Sequence, residues 1–108
     1  MAKTITLNYK GTEYTLEFTR KAVVRLENKG FNIEDVGAKP MSTLPLLFEG
    51  AFFAHHRPLI GSDIIDELYK QIPDKTEFLA KLAEMYAEPI EALMEEPEEG
   101  NLTWGASW

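Results

Sequence analysis

Two adjacent histidines, His55 and His56, are the side chains best suited to chemistry, because imidazole binds metal ions and exchanges protons near neutral pH. Neighbouring residues of a helix point about 100° apart, so this pair needs further ligands to hold one metal ion. No carboxylate precedes either histidine by four residues, and the chain has no cysteine. The pair ends a predicted helix, where such side chains complement the helix dipole. We expect a structural or capping role and no metal site.

Carboxylates of the C-terminal half are the other candidates for chemistry. General acid–base catalysis needs one carboxyl whose pKa is raised in an apolar pocket. These acids instead lie on the polar faces of predicted amphipathic helices, and the chain has no phosphate-binding glycine loop and no G-x-S-x-G motif. The sequence therefore predicts no catalytic residue, no cofactor site and no enzymatic activity. The acids are Asp63, Asp66, Glu67, Glu84, Glu88 and Glu91.

Length and charge limit the number of domains and the kinds of partner that the chain can have. At 108 residues the chain fits one small domain, and 18 acidic against 11 basic residues give a net charge of −7, which repels phosphate backbones. Residues 1–60 carry eight basic and six acidic side chains, whereas residues 61–108 carry three and twelve. The longest apolar stretch is interrupted by Glu49 and is too short to cross a bilayer. We expect a cytoplasmic protein that binds neither nucleic acid nor membrane.

The elements that must position these residues begin with a hairpin. Apolar residues alternate with polar ones on both sides of a turn at Lys10-Gly11-Thr12, which is typical of two strands with one buried face. An isolated hairpin is marginal in water, so this face must pack on the helices that follow. The residues of the face are Ile5, Leu7, Tyr9, Tyr14, Leu16 and Phe18.

Helical spacing of apolar residues predicts two helices in the next part of the chain. The first follows Thr19 as its N-cap and ends at Gly30, which suits a left-handed C-terminal position. The second and most apolar runs from about Leu44 to His56, with Ser42 or Thr43 as its cap and Pro45 in its first turn.

Two further helices precede a change of composition. One covers Asp63 to Gln71 with Ser62 as its cap, and the last begins after Asp74, which we expect to act as a side-chain N-cap. It continues to Leu93 with Pro89 inside it. The predicted fold is α+β, a hairpin packed on about four helices in a single globular domain, residues 1–94, followed by a flexible acidic tail, residues 95–108.

Aromatic residues are the candidates for binding a partner. Phe52 and Phe53 lie in the most apolar predicted helix and suit either the core or an interface. Trp104 and Trp108 follow the acidic run and offer large apolar faces to a partner. The alternative for the tail is that it folds back onto the helices of its own domain.

The order of features also carries a resemblance to a known family. The segments that carry it are Phe18-Thr19-Arg20-Lys21, Glu27-Asn28-Lys29-Gly30-Phe31-Asn32, Lys39-Pro40, the apolar block from Leu44 to His56, and Asn101-Leu102-Thr103-Trp104. Over almost the entire chain, the sequence resembles the small tail assembly chaperone-like proteins of long-tailed phages and prophages of Gram-positive bacteria.

This resemblance implies a non-enzymatic role in virion assembly. Such chaperones bind the long, largely helical tape measure protein and keep it soluble until tail tube subunits polymerise around it. A longer form made by ribosomal frameshifting often recruits the tube protein. The expected partners are therefore the tape measure protein and, for a longer form, the tail tube protein. The sequence leaves open whether the chain also forms a homo-oligomer. The alternative function is a structural minor tail or head–tail adaptor protein that is retained in the virion.

Overall fold

Four helices follow a two-stranded antiparallel hairpin and cover its apolar face. The computed structural model describes residues 3–56, 61–98 and 100–108 of the chain. The elements in chain order are β1 (Ile5–Tyr9), β2 (Thr12–Leu16), α1 (Arg20–Asn28), a 3-10 turn (Ile33–Val36), α2 (Pro40–Gly50), α3 (Ser62–Gln71) and α4 (Lys75–Leu93). The predicted α+β fold is confirmed.

A two-residue turn at Lys10 and Gly11 sets the register of the hairpin. Both residues have positive φ, 49° and 81°, which is the backbone whose twist matches that of paired strands. The turn places Leu7 opposite Tyr14 on the face that packs on the core. Leu16 is fully buried there, as the alternating pattern predicts.

Helix α1 has both of the predicted ends. The hydroxyl of Thr19 accepts a hydrogen bond from the N–H of Ala22 at 3.2 Å. Gly30 has a φ of 87°, and the N–H of Phe31 donates to the carbonyl of Leu26 at 3.0 Å. These bonds satisfy backbone groups that a helix end otherwise leaves unpaired.

Helix α2 begins earlier than predicted. Its first residue is Pro40 and its N-cap is Lys39, so the predicted caps, Ser42 and Thr43, lie inside the helix. Their hydroxyls instead donate to the carbonyl of Lys39, at 3.3 and 2.7 Å. Proline is favoured in the first turn of a helix, and both Pro40 and Pro45 could occupy that position. The prediction placed Pro45 in the first turn and was wrong, because the helix begins at Pro40.

The end of α2 was also predicted wrongly, because the helix stops at Gly50 rather than His56. Residues 51–55 form successive turns. The carbonyl of Ala51, which would continue the helix, accepts the N–H of Glu17 at 3.0 Å instead. A hydrogen bond to the hairpin thus competes with helix propagation at this point.

The caps of α3 and α4 differ from the prediction as well. Gly61 occupies the N-cap position of α3, and Ser62 is the first helical residue. Asp74 does precede α4, but its backbone is left-handed at a φ of 49° and its side chain makes no capping hydrogen bond. Helix α4 continues through Pro89 to Leu93.

One hydrophobic core joins the hairpin and all four helices. Helices α1 and α2 approach each other closely at Gly50, where an added Cβ would lie 2.7 to 2.9 Å from side-chain atoms of Leu26. The buried hydrophobic residues are Leu16, Phe18, Ala22, Val23, Leu26, Phe31, Leu47, Phe48, Ala51, Phe52, Ile65, Leu68, Leu82, Met85 and Tyr86.

The residues that follow α4 lie outside this core. Residues 95–98 and 100–108 form no helix or strand and are exposed. Among the described residues, no helix combines the length and the apolar character needed to cross a membrane.

Candidate functional site: an apolar groove between α1 and α4

An open apolar groove lies between α1 and the C-terminal end of α4. Its residues on α1 are spaced i, i+3, i+4 and i+7, so they share one face of the helix. The cavity has a volume of about 290 Å³. We call this surface the α1–α4 groove; it is lined by Arg20, Val23, Val24, Glu27, Pro89, Ile90 and Leu93.

The apolar side chains of the α1–α4 groove are accessible to solvent. Val24 is 47% exposed, Ile90 43% and Leu93 61%, while Val23 forms a buried floor. Met94, the residue after α4, is 79% exposed. Contiguous exposed apolar residues with a polar rim are typical of surfaces that bind another molecule.

Two oppositely charged side chains flank the apolar residues of α1 at the rim of the α1–α4 groove. Each lies about one helical turn from Val23 and Val24. Arg20 begins α1 and Glu27 lies near its end. Within the described part of the chain, neither residue takes part in an ion pair. Their charges are therefore available to a ligand. The groove is positively charged at the N-terminal end of α1 and negatively charged at its C-terminal end.

Tyr86 supports the groove from the core side. Its ring packs edge-on against Phe18, which precedes α1, and Phe31, which follows it, with centroids 5.2 and 5.3 Å apart. Burial raises the pKa of the Tyr86 phenol, and the carboxylate of Glu27 raises it further. Tyr86 thus fixes α4 against both ends of α1 before any ligand arrives.

The histidine pair occupies a different region and binds two different partners. His55 Nε2 lies 2.7 Å from a carboxylate oxygen of Glu17. His56 Nε2 accepts the N–H of Thr15 at 3.0 Å, which places its proton on Nδ1. The two rings therefore hold residues 51–56 against the outer edge of β2. Among the described residues, no cluster of histidines and carboxylates could hold a metal ion.

The six carboxylates considered for acid–base chemistry lie at the surface. Four are exposed, and Glu67 and Glu88 are partly buried. Glu88 accepts the N–H of Lys3 with both oxygens at 3.1 Å. The geometry gives none of them the apolar pocket that general acid catalysis requires.

The partner-binding residues proposed from sequence separate into two groups. Phe52 is fully buried, with Phe48 at 5.1 Å and Tyr14 at 6.1 Å between ring centroids. Of the two settings that the sequence leaves open for Phe52, the core and an interface, the structure places its ring in the core of the domain. Phe53 is partly buried, and the guanidinium of Arg25 lies over its ring at 4.9 Å.

The two tryptophans are exposed. Trp104 is 85% exposed and Trp108 is 103% exposed, and Leu102 between them and the helices is 79% exposed. Of the two alternatives for the tail, packing on the chain's own helices is therefore not the arrangement observed. The side chains remain accessible to a partner.

Sequence reasoning missed the α1–α4 groove. The available signals were the pair Val23-Val24, which widens the apolar face of α1, and the continuation of the apolar stripe of α4 beyond Pro89 to Ile90 and Leu93. The sequence of each helix indicates only that helix's own apolar face. It does not indicate that the two faces lie side by side in the fold.

The fold and the groove together define a small α+β domain that presents an apolar slot between two helices. The chain belongs to the family described as domain of unknown function DUF5055, whose sequence model matches residues 1–108. No curated protein and no solved structure matches the chain.

Proposed function

We propose that this chain is a non-enzymatic assembly chaperone that holds an apolar helical segment of a client protein in the α1–α4 groove. The observation that carries the proposal is the exposed apolar lining of a groove between two helices. The client suggested by the resemblance is a phage tape measure protein, which the chaperone keeps soluble in the bacterial cytoplasm during tail assembly.

The shape of the groove suits an amphipathic helix. An apolar helical stripe laid between two helices is a recurrent mode of peptide recognition. The α1 side extends from Arg20 to Glu27, which is about 10 Å of helix axis, or two turns, at 1.5 Å per residue. The expected client segment therefore has apolar residues spaced i, i+3, i+4 and i+7 over two to three turns.

The rim charges favour one orientation of that helix. An acidic client residue near Arg20 and a basic one near Glu27 give two favourable pairs, whereas the reversed helix meets like charges at both ends. Partly exposed pairs contribute little affinity, about 0–1 kcal/mol each, so they select orientation more than they hold the client.

Charge elsewhere on the chain supports a solubilising role. Twelve of the 18 acidic residues lie in residues 61–108, which carry only three basic residues. A chaperone bound along a long apolar client would give the assembly a strong negative charge, and like charges oppose aggregation.

Co-expression with the tape measure protein of the same genome tests the proposal. The measured quantity is the fraction of tape measure protein that stays in the supernatant after centrifugation. The wild-type chain should raise it, and Val24→Glu should abolish the gain because it places a carboxylate inside the groove. Ile64→Glu is the matched control, because Ile64 on α3 is 48% exposed against 47% for Val24 and does not line the groove.

Two results would contradict the proposal. One is a client whose solubility is the same with and without the chain, or is rescued equally by Val24→Glu. The other is the presence of the chain at stoichiometric level in purified virions, detected by immunoblot, which would favour the structural minor tail or adaptor protein. A chaperone should be absent from the finished particle or depleted there.

A further inference from the structure

The two edges of the hairpin have different hydrogen-bond partners. On β2, the N–H of Thr15 donates to Nε2 of His56, and the N–H of Glu17 donates to the carbonyl of Ala51, both at 3.0 Å. These two bonds close the edge of β2. Within residues 3–56, 61–98 and 100–108, no such bond reaches the outer edge of β1. An unpaired edge is a template for pairing with another chain.

The register of the hairpin shows which groups of β1 point outward. Opposite residues of an antiparallel pair alternately exchange both of their hydrogen bonds or direct both away from the partner strand. The N–H of Thr15 points away from β1, because it reaches His56, and Thr15 lies opposite Thr6. Thr6 therefore directs its N–H and carbonyl away from β2, and Asn8, two residues later, does the same.

Two cavities lie beside this edge. One, of about 210 Å³, lies between residues 6–9 of the hairpin and the C-terminal end of α3. The other, of about 310 Å³, lies between residues 3–5 and α4. Successive side chains of a strand point to opposite faces, so cavities lined by consecutive residues follow the edge of β1 and not one of its faces. We call the outward backbone groups of Thr6 and Asn8, with these two cavities, the β1 cleft.

An extended backbone is the ligand whose chemistry matches the β1 cleft. A strand offers N–H and carbonyl groups towards one side at every second residue, which is the repeat at which Thr6 and Asn8 present theirs. Addition of a strand to an exposed edge is a recurrent mode of peptide recognition. The described residues that line the first cavity include no charged side chain, and Leu7, Leu68 and Ile72 are among them. Side chains of the added strand that point towards the helices are therefore apolar.

A second copy of this chain does not suit the β1 cleft. The two-fold axis between two antiparallel β1 strands is perpendicular to the sheet, so the helices of both copies lie on the same side of it. The α3 and α4 helices of the second copy would then meet those of the first at the cavities. At about 210 and 310 Å³, these cavities have the volume of a few side chains and not of a helix.

We propose that an extended segment of a different protein adds to β1 as a third, antiparallel strand. Residues of the segment opposite Thr6 and Asn8 exchange hydrogen bonds with them and are polar, because these two side chains lie on the exposed face. Residues opposite Leu7 and Tyr9 are apolar, because they point towards the first cavity. The partner segment therefore alternates between polar and apolar over at least five residues. The β1 cleft is separate from the α1–α4 groove, and the proposal does not rest on a chaperone function.

Peptide binding to the full-length chain tests the proposal. The probe is the capped octapeptide Glu-Val-Thr-Val-Thr-Val-Thr-Glu, whose first two threonines lie opposite Asn8 and Thr6 and whose terminal glutamates lie near Lys10 and Lys3. Amide hydrogen exchange is followed by NMR. In the free chain, the N–H groups of Thr6 and Asn8 should exchange faster than that of Leu7, which is bonded within the hairpin. Saturating peptide should slow exchange at Thr6 and Asn8 by about tenfold or more.

Methylated peptides locate the hydrogen bonds on the wild-type chain. Methylation of the backbone nitrogen of the first two threonines removes the donors that face β1, and it should weaken binding by about tenfold or more. Methylation of the last two valines is the matched control, because their N–H groups point away from β1, and it should leave binding unchanged.

Variants of the chain provide the complementary test. Thr6→Pro removes an outward N–H without removing a bond of the hairpin, since proline is tolerated on the open side of an edge strand. It should weaken peptide binding by about tenfold, whereas Thr6→Val, which keeps the N–H, should bind like the wild type. Circular dichroism melts establish that both variants are folded. Val24→Glu should also bind the peptide normally, because it alters only the α1–α4 groove.

Three outcomes would overturn the proposal. The first is unchanged exchange at Thr6 and Asn8 up to the solubility limit of the peptide. The second is equal weakening by the two methylated peptides, which would show that binding does not use the edge of β1. The third is slow exchange in the chain alone that increases with concentration as the mass rises above 12.3 kDa, which would make a second copy the occupant. Loss of client solubilisation in Val24→Glu with normal peptide binding would concern the proposed function alone.

Discussion

The close approach of α1 and α2 at Gly50 makes the substitution Gly50→Ala a stringent test of the packing. An alanine Cβ would lie 2.7, 2.8 and 2.9 Å from Cδ2, Cδ1 and Cγ of Leu26, whereas carbon atoms pack at about 3.5–4.0 Å. Leu26 is fully buried, and Cγ is close to its backbone, so a change of rotamer alone does not relieve the overlap. The helices must separate by about 0.6–0.8 Å to restore ordinary contact.

The expected cost of Gly50→Ala follows from two opposing effects. Overpacking a core costs about 1–3 kcal/mol, and the lower entropy of the unfolded chain with alanine returns about 0.4–1 kcal/mol. The free energy of unfolding should therefore fall by about 1–2 kcal/mol. For a domain of about this size the melting temperature falls by about 4–8 °C for each kcal/mol, which differential scanning calorimetry and urea titration both resolve.

Two further variants test whether the contact with Leu26 causes the loss of stability. Gly37→Ala is the control, because Gly37 has no heavy atom within 4 Å of the added Cβ and has ordinary right-handed backbone at a φ of −74°. It should leave stability unchanged or raise it slightly. In a Leu26→Ala background, all three clashing atoms are gone and Gly50→Ala should cost nothing. A Gly50→Ala variant as stable as the wild type, or an equal cost in both backgrounds, would refute the proposed steric contact.

Three other perturbations have expected outcomes. His56→Ala should lower the free energy of unfolding by about 1–3 kcal/mol in urea titrations, because the N–H of Thr15 loses its acceptor; His55→Ala, which removes only a partly exposed contact with the carboxylate of Glu17, should cost less than about 1 kcal/mol. Deleting residues 97–108, of which 97, 98 and 100–108 are described and exposed, should leave the melting temperature nearly unchanged; a large drop would show that the tail supports the fold. The raised pKa of Tyr86 means that the folded state holds the phenolic proton more tightly, so stability should fall as pH rises above 10.0; Tyr86→Phe should make that fall shallower in alkaline melts.

The parts of the fold that could be predicted from sequence are those set by local chemistry. The hairpin follows from alternation and from a turn that needs positive φ at Gly11, and both ends of α1 follow from Thr19 and Gly30. Each of these signals acts within about six residues of chain. At these positions the local preference and the final structure agree.

The parts that could not be predicted depend on contacts between distant residues. Helix α2 ends where the carbonyl of Ala51 meets the N–H of Glu17, 34 positions earlier in the chain. The α1–α4 groove likewise exists only because α4 passes over α1 with its last residues uncovered.

The bond between Thr15 and His56 has a consequence for synthesis of the chain on the ribosome. The outer edge of β2 is completed by residues that are made 41 positions later. At about 5–20 residues per second, the ribosome needs about 2–8 s to supply them. During that interval the newly made hairpin exposes an edge that can pair with another nascent strand. Once residues 51–56 have emerged and the His56 ring has accepted the N–H of Thr15, this position of the edge is no longer available to another strand.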